Sequence, residues 1–248
     1  MKTALACGLL VLALTAAAQD KKPAPGKLLV SSAVSLTPGA TTRVVLRGTD
    51  LEPATGITLG DGPAKAKLLT KPKKGNPPNN TGPVERLGDW EVEAEIEVLA
   101  GTEPGELRVT LTTPHGPTNP LTIAVADPAL RVEEKEPNNG YATAQVVTWP
   151  CVVEGRIEKE KDVDVYRIDG KPGERVCLRI ESRALSSAAE LLVTATDVQG
   201  HVLDMTRERT PNTFIVTLPL SGSCCVALIE ASDLGGPFFG YRLHVLKP

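Results

Sequence analysis

The chain contains few aromatic residues and few histidines. Its 248 residues include three Phe, two Trp, three Tyr and three His. Few aromatic rings are available to form the stacking surfaces on which proteins bind sugars. Few imidazoles are available to form zinc sites or catalytic triads. Charge is balanced, since 27 Lys and Arg face 30 Asp and Glu. The net charge of −3 provides no basic surface for nucleic acid or an anionic membrane.

Glycine and proline are abundant. The chain has 22 Gly and 21 Pro, while 41% of its residues are hydrophobic and 23% are charged. These proportions are typical of a globular protein and exclude a disordered or collagen-like one. Frequent turn residues together with an aliphatic core indicate many short strands, and no segment longer than about ten residues shows a convincing helical period. The sequence therefore predicts an all-β fold.

Residues 1–18 have the form of a secretory signal peptide. A lysine near the start is followed by an apolar run over Ala4–Ala16 and by small residues before Gln19. The alternative of a membrane anchor would need about 20 apolar residues, and Cys7 lies too early for a lipoprotein cleavage site. We expect an exported protein, secreted, periplasmic or at the cell surface, with residues 19–27 as a polar linker.

Cleavage would leave four cysteines, Cys151, Cys177, Cys224 and Cys225. An even number in an oxidising compartment is compatible with two disulfides. We expect Cys177 to pair with one member of the adjacent pair and Cys151 with the other. The alternative is that some of the four are small buried hydrophobes. Their spacing excludes a zinc site, because there is no Cys-x-x-Cys motif.

Residues 91–98 show the clearest strand pattern in the chain. Apolar side chains alternate with a row of glutamates, which predicts a half-buried strand. The apolar positions are Val92, Ala94, Ile96 and Val98, and the glutamates are Glu91, Glu93, Glu95 and Glu97. We interpret the glutamate row as the solvated face of a sheet, with a cation-binding strip as the alternative.

The first half of the mature chain, residues 28–127, resembles an immunoglobulin-like domain of the IPT/TIG kind. The segment TTRVVLRGTDL, residues 41–51, has the strand, glycine and leucine order of that family. The segment EPGELRVTLTTPHGPTNPLTIAV, residues 103–125, is similar to its closing hairpin. The resemblance implies a seven-stranded sandwich used for spacing or binding and without catalytic residues.

The second half, residues 128–248, contains another series of short strand candidates separated by Gly- and Pro-containing turns. Such a series predicts a second sandwich, of jelly-roll type. The predicted architecture is therefore two β-sandwich domains in tandem after a signal peptide.

Two short acidic segments of the second half carry the only distinctive chemistry. Pro137 excludes a helical Glu136, so Glu134, Glu136 and Asn138 share one side of an extended segment. Asp162 and Asp164 share one side at the start of a predicted strand. Clustered oxygen ligands suit Ca²⁺, which takes six to eight of them, and without a cation such carboxylates repel one another. The alternative is that the segments never meet and are simply acidic turns.

Residues 133–247 resemble the bacterial pre-peptidase C-terminal domain. The resemblance rests on EEKEPNNGYATAQ, VVEGRI, KDVDVYRIDGKPGERVCLRI, LLVTATDVQGHVL and GYRLHVL. It implies a β-sandwich appended to secreted peptidases and other exported proteins, and related collagen-binding domains hold Ca²⁺ through the equivalent segments. The ligand candidates that the resemblance implies are Glu134, Glu136, Asn138, Asn139, Asp162 and Asp164.

Two positions depart from the pattern of that family. Lys161 occupies the place of a glycine, and its ammonium group could compete with a cation. Ala189 and Glu190 occupy the place of an aspartate. Collagen binding does not carry over, because it depends on aromatic surface residues that this chain largely lacks.

No catalytic motif is present in the sequence. His115, His201 and His244 belong to no metal-binding or triad motif, and there is no Gly-x-Ser-x-Gly. We therefore predict a non-catalytic exported protein that binds or positions an extracellular protein or polysaccharide. The alternatives are an accessory subunit of a separately encoded secreted hydrolase and a hydrolase that uses the carboxylate cluster.

Overall fold

The computed structural model describes residues 24–79, 81–207 and 213–248. The predicted signal peptide, residues 1–18, and the linker up to residue 23 lie outside the described residues. Within the described ranges, the helical elements are one short α-helix, Val84–Leu87, and one 3₁₀ helix, Arg183–Leu185. Neither is long or apolar enough to cross a membrane. Nearly all other regular structure is β, which confirms the predicted fold class.

The first ten strands form two facing sheets, which we call the N-terminal sandwich. One sheet has the order β1-β3-β7-β5 with β6 also paired to β7, and the other has the order β2-β10-β8-β4 with β9 paired to β8. The strands are β1 (Lys27–Ser31), β2 (Ser35–Leu36), β3 (Thr41–Thr49), β4 (Gly56–Leu59), β5 (Ala64–Leu68), β6 (Lys73–Lys74), β7 (Trp90–Val98), β8 (Gly105–Thr113), β9 (Gly116–Pro117) and β10 (Leu121–Val125).

Strand β7 has the alternation predicted for it. Its apolar side chains are buried in the sandwich core, while its glutamates lie on the other face of the sheet. Glu91 contacts Lys73 at 2.9 Å, Glu95 contacts Lys67 at 2.7 Å, and Glu93 pairs with Arg43. Three of the four glutamates therefore form ion pairs on the outer face of the sheet.

The remaining ten strands form the C-terminal sandwich. Its two sheets are named after one strand each: the β13 sheet, of order β11-β13-β20-β15-β18, and the β14 sheet, of order β12-β14-β19-β16-β17. The strands are β11 (Arg131–Glu133), β12 (Gln145–Val147), β13 (Cys151–Arg156), β14 (Val163–Asp169), β15 (Arg175–Glu181), β16 (Leu191–Asp197), β17 (Val202–Arg207), β18 (Thr213–Thr217), β19 (Ser223–Glu230) and β20 (Gly240–Leu246).

The order of these strands brings the acidic segments together. Strand β11 pairs in parallel with β13, and β12 pairs in parallel with β14 in the opposite sheet. The segment between β11 and β12 must therefore cross from one sheet to the other. It carries Glu134, Glu136 and Asn138, and it passes the first residues of β14 on the way.

All four described cysteines are free thiols, so the expected disulfides are wrong. Successive residues of a strand face opposite sides of the sheet. Cys151 and Cys224 therefore face the core, where they pack among apolar side chains, whereas Cys177 and Cys225 lie on the outer faces of opposite sheets. Burial raises the pKa of the Cys151 thiol to about 11 and that of Cys224 to about 12. These two behave as small hydrophobes.

The two sandwiches contact each other through polar and aromatic groups. Arg86 reaches from the N-terminal sandwich to Glu230, at 2.6 Å, and its guanidinium lies 5.3 Å from the ring centroid of Phe239. The side chain of Glu230 is completely buried. Ser35 donates a hydrogen bond to Glu154 at 2.7 Å. Because a buried charge is costly without a partner, these contacts make the interface specific.

Candidate metal centre

Backbone hydrogen bonds place the acidic segment over β14. Glu134 follows directly after β11, and its amide donates to the Glu154 carbonyl at 3.0 Å. The Val165 amide donates to the Asn138 carbonyl at 3.0 Å, which fixes the turn against β14. Asn138 is completely buried as a result. Two segments that lie far apart in the sequence are thereby held side by side.

Three carboxylates meet at this position. Oxygen atoms of Glu134, Glu136 and Asp164 all lie within 4.8 Å of one another. Asp164 is completely buried, Glu134 is half-buried and Glu136 is exposed. The cluster is therefore buried at Asp164 and open to solvent at Glu136. A cation could enter it from the solvent side. We call these three residues with Asn138 the carboxylate cluster.

The buried hydroxyl groups of two tyrosines contact Glu134 and Asp164. Glu134 Oε1 accepts hydrogen bonds from Tyr166 at 2.8 Å and Tyr241 at 2.9 Å, while Glu134 Oε2 accepts from the Arg156 amide at 2.7 Å. Asp164 Oδ2 accepts from Tyr241 at 2.6 Å. The two tyrosine oxygens are also only 2.6 Å apart. Each hydroxyl has one proton, so the two tyrosines cannot satisfy all four contacts at once.

Two oxygens of the cluster have no hydrogen-bond partner among the described residues. They are Asn138 Oδ1 and Asp164 Oδ1, and both are buried. An unsatisfied buried acceptor costs about 1–3 kcal/mol, and such groups are uncommon in native proteins. Amide and carboxylate oxygens are also the ligands that Ca²⁺ takes. The donor set present therefore fits a hard cation.

The electrostatics of the cluster point in the same direction. Burial, followed by the charge of Glu134, raises the pKa of Asp164 to about 9. Burial also raises the pKa of Glu136, with further contributions from Asp162 and Glu134. The pKa values of both tyrosines are raised by burial as well. Without a cation, this site disfavours the charge that its carboxylates would carry in water.

Two of the predicted ligands lie beside the cluster and bond to each other. Asn139 Nδ2 donates to Asp162 Oδ1 at 2.9 Å, and the Glu158 amide donates to Asp162 Oδ2 at 2.7 Å. Asp162 is buried but precedes β14, so it closes the turn into that strand. The structure thus brings Glu134, Glu136, Asn138 and Asp164 into one cluster and gives Asn139 and Asp162 a second set of contacts.

Lys161 does not enter the cluster. Its side chain is 70% exposed, and its ammonium group lies 3.8 Å from Glu160. Its backbone has a positive φ of 59°, in the left-handed region that glycine adopts most easily. The sequence led us to expect that this ammonium group could compete with a bound cation. The position of the side chain gives no geometric basis for such competition.

Sequence reasoning missed the role of Tyr241. Tyr166 and Tyr241 entered the sequence analysis only as members of the segments KDVDVYRIDGKPGERVCLRI and GYRLHVL. Both are buried core residues whose hydroxyls reach Glu134. The available signal was a tyrosine on the inward-facing side of a strand that is otherwise aliphatic. A buried hydroxyl needs a hydrogen-bond partner, so such a tyrosine indicates a polar group nearby.

The histidines lie away from the cluster. His201 is exposed in the hairpin after β16, where its Nδ1 lies 2.8 Å from Asp197. His244 is buried on the outer face of the β13 sheet, and its Nε2 contacts Glu181 at 2.8 Å. His115 lies in the turn between β8 and β9.

The chain matches no protein-family model and no curated protein. Several solved structures have weak similarity to it. SGBP-B of the Bacteroides ovatus mixed-linkage glucan utilization locus, solved with a mixed-linkage heptasaccharide, is 12% identical, with a TM-score of 0.26 over 85% of this chain and 72% of that one. The secreted serine protease VesC of Vibrio cholerae is also 12% identical, with a TM-score of 0.26 over 85% of this chain and 47% of that one.

The adhesin InvE of Yersinia pseudotuberculosis is 14% identical, with a TM-score of 0.20 over 89% of this chain and 60% of that one. A binding protein, a protease and an adhesin thus appear at nearly equal and low similarity. Scores this low support no inference about the ligand or activity of this chain.

Proposed function

We propose that this chain is an exported, non-catalytic binding module whose C-terminal sandwich is stabilised by Ca²⁺. The carboxylate cluster would hold the ion, with Asp164 and Asn138 at its inner end and Glu134 and Glu136 toward solvent. The binding partner would be an extracellular protein or polysaccharide. In this proposal the cation has a structural role, because it would join the segment after β11 to the first residues of β14.

The observation that carries the proposal is the pair of buried oxygens without partners. Asn138 Oδ1 and Asp164 Oδ1 both belong to the cluster and both lack a donor among the described residues. A divalent cation would satisfy both oxygens and neutralise neighbouring carboxylates. A cluster of acidic turns alone would explain neither the burial of Asp164 nor the unpaired amide oxygen.

We also propose that residues 128–248 form a pre-peptidase C-terminal domain and residues 28–127 an IPT/TIG-like domain. Two observations support the first assignment. The Glu136–Asn139 motif packs against the Asp162–Tyr166 motif, so the two most specific parts of the resemblance are neighbours in space. Lys161 adopts a left-handed backbone at the position where that family has glycine.

Thermal unfolding with and without calcium tests the cation site. The chain from Gln19 to Pro248 is melted in excess Ca²⁺ and in a chelator. At a calcium concentration about 100-fold above Kd, binding adds about 2.7 kcal/mol to the free energy of unfolding. The melting temperature should therefore rise by several degrees with calcium.

Asp164→Asn provides the decisive variant, and Asp61→Asn is its matched control in an exposed turn of the N-terminal sandwich. The Asp164 variant should lose the calcium response, while the Asp61 variant should keep it in full. Identical melting curves of the unmodified chain in millimolar calcium and in chelator would refute the proposed ion. A response that persists in the Asp164 variant would place the ion elsewhere.

A further inference from the structure

A second site lies between the two sandwiches, away from the carboxylate cluster. It is a cleft of about 440 Å³. One wall comes from the N-terminal sandwich, where β8 begins and β10 ends. The other wall is the outer face of the β13 sheet, formed by residues of β13, β15 and β20. Clefts at the junction of two folded units are common binding sites, and this volume suits a small ligand or one side chain.

The floor of the cleft is aliphatic. Val152 and Val125 are buried on its two walls, and Leu130, Leu185 and Leu246 complete the surface. No Phe, Tyr or Trp ring lines the cleft among the described residues. A ligand held here would place an aliphatic group on this floor, whereas a sugar ring would find no stacking surface.

Three nitrogen-bearing side chains converge on one carboxylate at the side of the cleft formed by the β13 sheet. Glu181 contacts His244 Nε2 at 2.8 Å, Arg179 Nη2 at 3.3 Å and Arg242 Nη1 at 3.6 Å. Arg179 Nη2 also lies 3.1 Å from His244 Nδ1. A single carboxylate cannot use all the donors that these groups offer.

Arg242 has the most unused capacity. It is only 9% exposed, and its buried Nε makes no hydrogen bond with a described residue. Its nearest carboxylate oxygens are on Glu154, at 3.4 Å, and Glu181, at 3.6 Å. A buried guanidinium offers five donors in a planar fork that matches a carboxylate. The cleft therefore presents a ready partner for one carboxylate group.

Two acidic residues on the opposite wall limit the charge of the ligand. Glu106 is exposed at the cleft, and Asp127 accepts a hydrogen bond from the Ala129 amide at 2.9 Å. Both would repel a second negative charge on a bound ligand. This arrangement favours a ligand with a single carboxylate over phosphate or a polyanion.

We propose that this cleft binds the C-terminal residue of a peptide with an aliphatic side chain. The terminal carboxylate bonds to Arg242 and Arg179, and the side chain packs on Val152 and Leu246. Capture of a chain terminus by clustered donors is a known mode of peptide recognition. The site extends the proposed binding function but includes no residue of the carboxylate cluster, so either proposal can fail without the other.

Calorimetric titration of the chain from Gln19 to Pro248 tests the site. The probes are N-acetyl-leucine, N-acetyl-leucinamide, inorganic phosphate and glucuronic acid. N-acetyl-leucine should bind in the millimolar range and at least about tenfold more tightly than its amide, because only the acid accepts charge-assisted bonds. Phosphate and glucuronic acid should bind more weakly than N-acetyl-leucine.

Arg179→Met removes a half-exposed member of the site, and Arg175→Met is its matched control on an exposed position of the same strand. The first should weaken binding about tenfold, and the second should leave it unchanged. Arg242→Met should abolish binding, with its melting curve measured to confirm that it folds.

Three results would overturn the proposal. One is the absence of binding by N-acetyl-leucine at millimolar concentration. The second is equal binding of the acid and its amide, or of the Arg179 variant and the unmodified chain. The third is binding of glucuronic acid as tight as that of N-acetyl-leucine, which would assign the cleft to an acidic sugar.

Discussion

The two sandwiches treat acidic side chains in opposite ways. In the N-terminal sandwich three glutamates of β7, Glu91, Glu93 and Glu95, lie on the outer face of the sheet, and each forms an ion pair with an exposed lysine or arginine. In the C-terminal sandwich the acidic groups Asp164 and Glu230 are buried, and each depends on a small number of specific contacts. Exposed pairs are screened by water and contribute little, whereas buried carboxylates are costly unless they are compensated. Acidic side chains therefore contribute to solubility in the N-terminal sandwich and to specific structure in the C-terminal sandwich.

The largest expected effect comes from breaking a buried pair. Arg86→Met removes the ion-pair partner of the buried Glu230 carboxylate and leaves it only backbone amide donors among the described residues, which should lower the free energy of unfolding by about 4 kcal/mol. The control is Lys67→Met, which breaks the exposed 2.7 Å pair with Glu95 and should cost under about 1 kcal/mol. Urea unfolding measures both. Equal losses in the two variants would contradict the contrast between the sandwiches.

The next effect is a pH dependence of the cation-free protein. The pKa of Asp164 in the folded chain is raised from 3.8 to about 9. Between these values the folded state keeps a proton that the unfolded chain has lost. The contribution of this group is therefore fully present below about pH 4 and is lost as pH rises toward 9, by about 1.4 kcal/mol per pH unit.

Urea unfolding in chelator at several pH values between about 5 and 8 measures that slope. Asp164→Asn should flatten it, because the amide does not titrate. A slope of the opposite sign in the unmodified chain would show that Asp164 is ionised in the cation-free protein. Glu181, whose pKa is lowered chiefly by His244, contributes stability that is lost as pH falls, so it acts in a lower pH range.

A smaller effect is expected from the buried tyrosine. Tyr241→Phe removes the hydroxyl that lies 2.9 Å from Glu134 and 2.6 Å from Asp164. The loss should be about 2 kcal/mol in the absence of calcium, since buried acceptors lose a donor. Tyr141→Phe, at a half-exposed position, should change nothing measurable. A neutral Tyr241 variant would mean that the hydroxyl does not support the cluster.

The smallest effect is a gain in stability. Lys161 has a φ of 59°, which strains a residue with a side chain more than glycine. Lys161→Gly should raise the free energy of unfolding by about 0.5 kcal/mol. Calcium affinity should stay the same, because the lysine points to solvent. A marked change in affinity would show that its charge acts on the cluster after all.

Much of the fold could be predicted from the residues of single strands. The alternation in β7 identifies both the buried side and the charged side, because side-chain direction in a strand depends only on position. The acidic segments could be recognised as extended for the same local reason, since Pro137 restricts Glu136. That the four cysteines remain unpaired could not be predicted, because it depends on which faces of which sheets meet.

The candidate metal centre, too, could be predicted from the sequence only in part. The family resemblance implied six oxygen-bearing ligand candidates but not that Asn139 and Asp162 would bond to each other. Asp162 lies apart from the cluster because it belongs to the turn before β14. In that turn the Glu158 amide donates a hydrogen bond to its carboxylate. The cleft and its Arg242 were not predicted at all, because its walls come from both sandwiches.

By itself, the sequence determined that this protein is all-β, that its core is mainly aliphatic and that many of its acidic residues fall into one alternating row and two compact segments. Those properties follow from local periodicity and residue type. Only the tertiary structure decided which carboxylates meet, which thiols stay apart and where the two sandwiches leave a cleft. Each of these depends on distances between strands that are remote in the chain, and such distances are set by how the sheets pack.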